Sequence, residues 1–135
     1  MRELLNVTND MIADKYFVTC KTKHTDELMK ALPHYFIIDP YKSIWKFILN
    51  GFQSLKHILK ERPDLVISTG AGIAIPTILL CKYLLKARII FIESAANVIN
   101  PSKTGKFIYK YSNLFLIQWN SLQPFYPKAV FCGLV

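Results

Sequence analysis

The sequence predicts an α/β fold, a Rossmann-like parallel sheet flanked by helices. Short runs of apolar and β-branched residues alternate along the chain with longer segments whose apolar residues recur at helical spacing. The short runs are almost continuously apolar, as expected of strands that are covered on both faces. A Gly-Ala-Gly turn at residues 70–72 then separates one such run from an apolar helix, an arrangement typical of this fold class.

In the first half of the chain, helices and strands are predicted to alternate from the first residues onward. The predicted elements are a helix over Arg2–Asp14, a strand over Lys15–Cys20, a helix over Thr25–Leu32 that Thr25 begins as a cap, and a strand over Tyr35–Asp39 that Pro40 ends. A helix follows over Ile44–Leu59 and ends at Arg62-Pro63, because a residue before proline disfavours the helical conformation. On that helix the apolar residues Ile44, Ile48, Phe52, Leu55 and Leu59 share a face, while Lys46, Gln53, Lys56 and Lys60 face away.

In the second half the same alternation continues. The predicted elements are strands over Asp64–Ser68 and Ala87–Glu93, separated by a helix over Ile73–Leu85, then a helix over Gly105–Tyr111 and short strands over Leu114–Gln118 and Lys128–Phe131. No repeat, low-complexity tract or linker divides the chain, so residues 1–135 are expected to form a single domain. The chain opens on a helix rather than on the central strand with which such folds usually begin.

Composition limits the classes of function. The chain has 135 residues, 52% of them hydrophobic and 19% charged, which argues against disorder. A net charge of +8 favours anionic partners such as phosphorylated ligands, acidic membrane surfaces or nucleic acid. The three cysteines lie far apart without metal-ligand spacing, so reduced, buried thiols and no metal site are expected. Nucleic acid is disfavoured, because the lysines are dispersed and no recognised binding motif is present.

The chain is expected to associate with the surface of a membrane and not to span it. The longest apolar run, Ile73–Leu85, is shorter than the roughly 20 residues that a spanning helix needs, and Lys82 interrupts it. No signal peptide is visible at the start. Because the helix over this run is apolar nearly all round, it is expected to be buried in the core, against a partner or against lipid.

The Gly-Ala-Gly turn is the first candidate site. Gly70 and Gly72 would lie beyond the carboxyl end of a strand, where backbone N–H groups at a helix start can bind an anion or a sugar phosphate. Pro76 suits the first helical turn, where its missing N–H does no harm. The dinucleotide fingerprint fails at Ile75, where a third glycine is needed, and no P-loop is present. A tight turn without a ligand is the alternative.

The second candidate site follows the next strand. Glu93 and Ser94 leave an otherwise buried strand, and the carboxylate could accept sugar hydroxyls, orient a neighbouring amide or cap the next helix. The loop Pro101–Lys106 offers two hydroxyls and two lysines around a glycine, which suits a phosphate but equally a solvated loop. The three histidines are scattered and no nucleophile motif appears, so catalytic residues stay unknown.

Several motifs together resemble a known family. The segments RPDLVISTGAGIAIP, IIFIESAANV, SKTGKFIYKYSNLFLIQW and FYPKAVFCG, with FVTCKTKHT near the start, are similar in order and spacing to the acceptor-side subunit of two-part N-acetylglucosaminyl- and hexosyltransferases. That family includes the membrane-recruiting subunit of the enzyme that adds the second GlcNAc to dolichol-diphosphate-linked GlcNAc. It also includes bacterial capsule and exopolysaccharide proteins that enhance a partner glycosyltransferase.

The resemblance implies one half of a GT-B glycosyltransferase, peripheral on the cytoplasmic face of a membrane. This half would hold the lipid-diphosphate acceptor, while a separate partner would supply the nucleotide-sugar donor, so no cofactor is expected on this chain. The acceptor and its phosphates would be bound by residues of the cleft, namely Gly70, Ala71, Gly72, Glu93, Ser94, Ser102, Thr104 and Gly105. Supporting positions would be Pro76, Asn97, Gln118 and Trp119.

Two departures from the family pattern stand out. Where the family usually carries Phe-Ala-Arg after Glu-Ser, this chain has Ala95-Ala96-Asn97, so a phosphate-pairing arginine is missing. The family's first strand and Gly-Gly-His loop are also missing, because this chain enters at the helix that follows them. The main hypothesis is a glycosyltransferase subunit that needs its partner. The alternative is a stand-alone nucleotide-binding protein or an inactive remnant.

Overall fold

Strands and helices alternate along the part of the chain that the computed structural model describes, which comprises residues 14–30, 32–40, 43–70 and 72–134. In order, these residues form β1 (Phe17–Thr19), α1 (Lys23–Met29), β2 (His34–Phe36), α2 (Ile44–Glu61), β3 (Leu65–Ser68), a 3₁₀ helix (Gly72–Ala74), α3 (Ile75–Leu84), β4 (Arg88–Ile92), α4 (Lys103–Ile108), β5 (Leu114–Ile117), a second 3₁₀ helix (Asn120–Phe125) and β6 (Val130–Phe131). Apart from that second 3₁₀ helix, these are the predicted elements in the predicted order. The predicted helix over Arg2–Asp14 lies almost wholly outside the described residues.

Two parallel sheets form the centre of the fold. β1 pairs with β2, and β3, β4, β5 and β6 follow one another in a four-stranded sheet. Every pair is parallel, with Ile67 opposite Ile90 and Phe91 opposite Phe115. The carboxyl ends of the four strands therefore meet at one edge, as a parallel α/β fold requires. Within the described ranges no strand joins β1 to β3, although β1 lies against the 3₁₀ helix that follows β3.

Helix α3 packs on the larger sheet, and aromatic side chains of β4, β5 and the segment around Tyr126 pack together in the core. Phe91 and Phe115 stack with ring centroids 5.0 Å apart, and Tyr126 packs on Phe115 at 4.5 Å. The buried cluster is built from Ile58, Ile78, Cys81, Ala87, Ile89, Phe91, Ile108, Phe115, Ile117, Leu122, Tyr126 and Ala129. Burial of this apolar area supplies most of the driving force for folding.

Helix α3 belongs mainly to this core. Its buried residues are Pro76, Thr77, Ile78 and Cys81, and its large exposed residues are Tyr83 and Leu84 at the end of the helix. The sequence left three environments open for this apolar helix, namely the core, a partner or lipid, and the core is therefore the main one. No helix in the described part of the chain is long and apolar enough to cross a bilayer.

Helix α2 has the opposite arrangement from the one its amphipathic pattern suggests. Asn50, Ser54 and Ile58 are its buried residues, whereas Ile44, Phe52 and most of its other large apolar residues are exposed. An amphipathic helix normally turns its apolar side to the core. Here the apolar side of the helix nevertheless lies in contact with solvent.

Hydrogen bonds explain why α2 packs by a polar side. The Asn50 side-chain amide donates to the Ile38 carbonyl at 2.7 Å and to the Ile73 carbonyl at 3.3 Å. The Ser54 hydroxyl shares a hydrogen bond of 2.8 Å with the Thr77 hydroxyl of α3. These bonds satisfy buried polar groups that would otherwise be costly, and so fix α2 against α3 by this side.

Two helix starts differ from the predicted ones because of caps. Thr22, and not Thr25, begins α1: its hydroxyl accepts the Thr25 N–H at 3.1 Å, while the Thr25 hydroxyl accepts the Thr22 N–H at 2.8 Å. This reciprocal pair is a capping box. Helix α4 starts two residues earlier than predicted, because the Ser102 hydroxyl accepts the Gly105 N–H at 2.8 Å.

Candidate functional site

The glycine turn lies at the carboxyl edge of the larger sheet, directly after β3. Gly70 has a φ of +102°, a conformation that favours glycine. A Cβ atom there would lie 3.6 Å from the Phe91 ring, 3.8 Å from the Ile92 carbonyl and 3.9 Å from the Ser94 N atom. The turn is thus packed against the end of β4 and the start of the loop that follows it.

The second glycine of the turn faces the other predicted loop. Gly72 is exposed, and a Cβ atom there would meet only the Thr104 hydroxyl, at 3.6 Å. Neither the Gly70 nor the Gly72 N–H group donates a hydrogen bond to any other residue that the structure describes. Ala71, between them, lies outside the described residues. The structure therefore brings Gly70, Gly72, Ser94 and Thr104 together at one edge of the sheet, where Gly72 is exposed and the other three are half-buried.

Glu93 is the centre of the neighbouring hydrogen-bond network. Its side chain is fully buried, and one carboxylate oxygen, Oε1, accepts the Ser94 N–H and the Asn97 side-chain amide, both at 3.0 Å. The other, Oε2, accepts the Ser102 hydroxyl at 3.0 Å and the Ser102 N–H at 3.3 Å. It also accepts the Tyr126 hydroxyl at 2.8 Å. Five donors compensate the buried charge, so the carboxylate holds its own loop and the start of α4.

Tyr126 is a member of this network that sequence reasoning did not single out. It is buried, and burial raises the pKa of its phenol well above the usual range, with the hydrogen bond to Glu93 and the charge of Glu93 adding to the effect. The phenol therefore stays protonated and donates to the carboxylate. The available signal was its place within the motif FYPKAVFCG, which carries the family resemblance.

Gly105 leaves room for these groups to meet. A Cβ atom on Gly105 would lie 2.0 Å from Glu93 Oε2, 2.6 Å from the Tyr126 hydroxyl and 2.9 Å from the Ser102 hydroxyl. All three distances are shorter than a real Cβ contact. The absence of a side chain at Gly105 thus lets Glu93, Tyr126 and Ser102 approach one another, while its predicted contact with the acceptor stays a prediction.

Residues that follow β5 hydrogen-bond to the loop that begins at Glu93. Gln118 is buried and donates from its side-chain amide to the Glu93 carbonyl at 2.8 Å. The Trp119 indole N–H donates to the Ala95 carbonyl at 2.7 Å, and the Ser121 hydroxyl donates to the Val98 carbonyl. These contacts give Gln118 and Trp119 the geometry of supporting positions. Pro76 is buried within the first turn of α3, two residues after the 3₁₀ helix that begins at Gly72.

The second half of the chain, which forms this edge, carries an excess of positive charge. Glu93 is the only acidic residue from position 65 to position 135, a stretch that contains seven Lys and Arg residues. Lys103 and Lys106 are exposed on α4, next to the site. Because the one carboxylate is buried and hydrogen-bonded, the solvent-facing surface attracts anions. Among the described residues, no group of three His, Cys, Asp or Glu side chains could hold a metal ion.

Comparison with known proteins identifies the family. The family model described as "Oligosaccharide biosynthesis protein Alg14 like" matches residues 37–135. The chain belongs to this Alg14-like family. The match includes the glycine turn, the Glu93 network and α2, and it confirms the resemblance that the sequence motifs indicated.

Individual Alg14-like relatives agree with this assignment. The chain is 28% identical over 122 residues to "UDP-N-acetylglucosamine transferase subunit ALG14" of Rattus norvegicus, a match that covers 84% of this chain and 56% of the relative. It is 34% identical over 99 residues to the protein of that name from Mus musculus, covering 69% of this chain and 45% of the relative. It is also 34% identical over 84 residues to the Homo sapiens protein, covering 58% and 38%. The chain therefore spans about half the length of these relatives or less.

A solved structure confirms the fold of this Alg14-like chain. The crystal structure of Acinetobacter baumannii MurG superposes with a TM-score of 0.75, although only 16% of the residues are identical. The likeness covers 96% of this chain but 39% of MurG. This agrees with the prediction that the chain forms one half of a GT-B fold.

Proposed function

We propose that this chain is the acceptor-side subunit of a two-part glycosyltransferase that transfers GlcNAc from UDP-GlcNAc to a lipid-diphosphate-linked acceptor. It acts as a peripheral protein on the cytoplasmic face of a membrane, and a separate partner binds the donor. Membership of the Alg14-like family supports the proposal, as does the name that its relatives carry, UDP-N-acetylglucosamine transferase subunit.

The glycine turn beside Thr104, with Gly72 exposed, is the observation on which the proposal rests. The N–H groups of Gly70 and Gly72 are not used by other described residues, and the Thr104 hydroxyl lies next to Gly72. Backbone N–H groups at a helix start, a hydroxyl and a nearby lysine are donors that suit a diphosphate. In this proposal the turn binds the acceptor diphosphate, with Ser94 and Lys103 at its border.

Glu93 has a positioning role in this proposal. Its carboxylate is saturated by donors from its own loop, from Ser102 and from Tyr126, so it fixes the loop that carries Ser94 and the first turn of α4. The transfer step forms a bond between an acceptor sugar hydroxyl and the anomeric carbon of GlcNAc, and UDP leaves. This chain contributes by holding the acceptor in place against the donor that the partner binds, an effect of proximity and orientation.

The test is co-expression with a donor-binding partner and an assay of GlcNAc transfer to a lipid-diphosphate acceptor. Thr104→Val removes the hydroxyl beside the turn at nearly constant volume, and we expect the KM for the acceptor to rise about tenfold with an unchanged KM for UDP-GlcNAc. Ser112→Ala is the matched control, because that hydroxyl donates to the Tyr109 carbonyl at the far end of α4 and should leave both constants unchanged.

Two results would contradict the proposal. Robust transfer by this chain without a partner would refute a half-enzyme. Calorimetry with UDP-GlcNAc, NAD and a soluble lipid-diphosphate analogue provides the second criterion. Tight nucleotide binding with no response to the analogue would instead favour the stand-alone nucleotide-binding protein.

A further inference from the structure

Large apolar side chains form an exposed surface along α2. We call it the apolar stripe of α2, and its members are Ile44, Trp45, Ile48, Leu49, Phe52 and Leu59. Their exposed fractions run from 42% for Ile48 to 74% for Trp45. Single exposed apolar residues are ordinary, but a contiguous apolar surface of this kind marks an interaction site.

The stripe is continuous along the helix. At about 100° per residue, Ile44, Ile48, Phe52 and Leu59 fall within an arc of about 80°, and Trp45 and Leu49 widen it to about 140°. From its first to its last member it is about 22 Å long. The buried polar residues lie on the opposite side, where Asn50 and Ser54 hydrogen-bond to the body of the fold. The stripe therefore cannot turn inward without breaking those bonds.

Lysines line one border of the stripe. Lys46, Lys56 and Lys60 follow each other along this border, within about 80° of arc. The only acidic residue of α2 is Glu61, and it is already engaged, with Lys60 at 3.3 Å and with the Tyr35 hydroxyl as a donor. The exposed border is therefore positive, and it complements an anionic surface.

The stripe begins at the same edge of the fold as the candidate site. Helix α2 follows β2, so its first turn lies beyond the carboxyl end of the small parallel sheet. The Asn50 amide, which donates to the Ile73 carbonyl at 3.3 Å, ties this end of α2 to the residues just after the glycine turn. Ile44 and Trp45 thus lie at the end of the stripe that is nearer to the acceptor edge.

We propose that the apolar stripe of α2 is the surface by which this domain lies on an anionic bilayer. An apolar arc, a tryptophan at one end and a lysine border are the features of a helix that lies in the plane of a membrane interface. Lysines near an anionic leaflet add electrostatic attraction to the burial of apolar area. The inference rests on the proposed function and deepens it, because it names the surface through which the membrane is reached and selects α2 over α3.

The test measures binding of the full chain to vesicles. Vesicles of phosphatidylcholine alone are compared with vesicles that also contain phosphatidylserine, by co-sedimentation and by tryptophan emission. We expect binding to the anionic vesicles with a blue shift of the tryptophan emission, a shift that should be lost with Trp45 because the other tryptophan, Trp119, lies outside the stripe. Trp45→Gln/Phe52→Gln should weaken that binding at least about tenfold. Because both side chains are exposed, this variant should keep the circular dichroism spectrum of the wild type.

A matched control replaces exposed apolar residues elsewhere. Tyr83 and Leu84 of α3 are 67% and 53% exposed, and Tyr83→Gln/Leu84→Gln should leave vesicle binding unchanged. For the charged border, Lys46→Gln/Lys56→Gln should reduce the preference for anionic vesicles.

Three outcomes would overturn the inference. One is absence of binding to anionic vesicles by the wild type, and another is an equal loss of binding in the stripe variant and in the α3 control. The third is self-association that the stripe variant abolishes without any vesicle binding, which would assign the stripe to a second copy of the chain.

A separate assay distinguishes this inference from the proposed function. With the partner present and a short-chain, water-soluble acceptor, the stripe variant should transfer GlcNAc as the wild type does. Absence of transfer by the wild type in that assay would contradict the proposed function, while vesicle binding would still decide the role of the stripe.

Discussion

Gly105 lies so close to Glu93 that a Cβ atom at position 105 would be 2.0 Å from the carboxylate oxygen Oε2. The space above Gly105 is where the carboxylate meets its donors from Ser102 and Tyr126. Helix α4 has six residues, and its first turn contains Gly105 although glycine has a low helix propensity. The close approach of the buried charge is the reason.

Gly105→Ala should therefore destabilise the protein. Either the carboxylate must move away from its five donors or α4 must shift, and we expect a loss of about 2–4 kcal/mol in the free energy of unfolding. Gly51→Ala is the control, because a Cβ atom there meets nothing within 4 Å in the middle of α2. That change should raise the free energy of unfolding by about 0.5–1 kcal/mol, because alanine has a higher helix propensity than glycine. Urea denaturation measures the free energy of unfolding of both variants. An equal change in Gly105→Ala and Gly51→Ala would contradict the packing argument.

Glu93→Gln tests the network itself. The amide group would donate where Oε2 now accepts, so the Ser102 N–H would lose its acceptor. We expect the free energy of unfolding to fall by about 2–4 kcal/mol, against about 1–2 kcal/mol for Tyr126→Phe, which removes one donor. Since the two residues are hydrogen-bonded partners, the double variant should lose less than the sum of the two changes. Strict additivity in denaturant titrations would show that the partners act independently.

The two glycines of the turn should respond differently to alanine. Gly70 has a φ of +102°, so Gly70→Ala strains the backbone and should cost about 1–3 kcal/mol. At Gly72 a Cβ atom meets only the Thr104 hydroxyl, at an ordinary contact distance of 3.6 Å, so Gly72→Ala should fold with nearly unchanged stability. Thermal unfolding of both variants measures the difference. A larger loss at Gly72 would contradict the described geometry.

Stability should fall as the pH is lowered below about 6.5, because of His57. Burial, and then the charges of Lys56 and Lys60, lower the pKa of His57 below its ordinary value of 6.5. The unfolded chain then binds more protons than the folded one as the pH falls below 6.5, so stability is present above that pH and is lost below it. Because His57 is partly exposed, we expect an effect smaller than about 1 kcal/mol. Chemical denaturation at a series of pH values should show a flatter profile for His57→Gln, and an unchanged slope would exclude this residue as the cause.

Strand positions and their parallel arrangement were predictable because they depend on local pattern. The run Leu65–Ser68 is apolar and β-branched and ends in a glycine turn, and such runs identify strands without knowledge of their neighbours. The expected cover on both faces was wrong for β3, an edge strand of the larger sheet in which Leu65 and Ile67 are exposed. The glycine turn and Glu93 were placed near each other for the same reason, since the carboxyl ends of adjacent parallel strands share an edge. The second 3₁₀ helix was missed, because a short segment around Pro124 has no helical period.

The side on which α2 packs could not be read from its own sequence. An amphipathic pattern fixes the direction of the apolar face, but not whether that face meets the core. The decisive contacts join residues 23 positions apart, such as Ser54 with Thr77. The role of Tyr126 was hidden in the same way, because its acceptor, Glu93, lies 33 positions earlier in the chain.

The amide of Asn50 donates on one side to the residue that follows β2 by two positions and on the other to the residues after β3. This side chain thus links the segment after β2 to the segment after β3, and no described strand of the small sheet pairs with the large one. We expect the two sheets of a domain built in this way to open separately, with the Asn50 hydrogen bonds as one of the links between them. Amide protons of β1 and β2 should then exchange with solvent through a partial opening that leaves β4 and β5 protected. The strength of the Asn50 hydrogen bonds should contribute to how often that opening occurs.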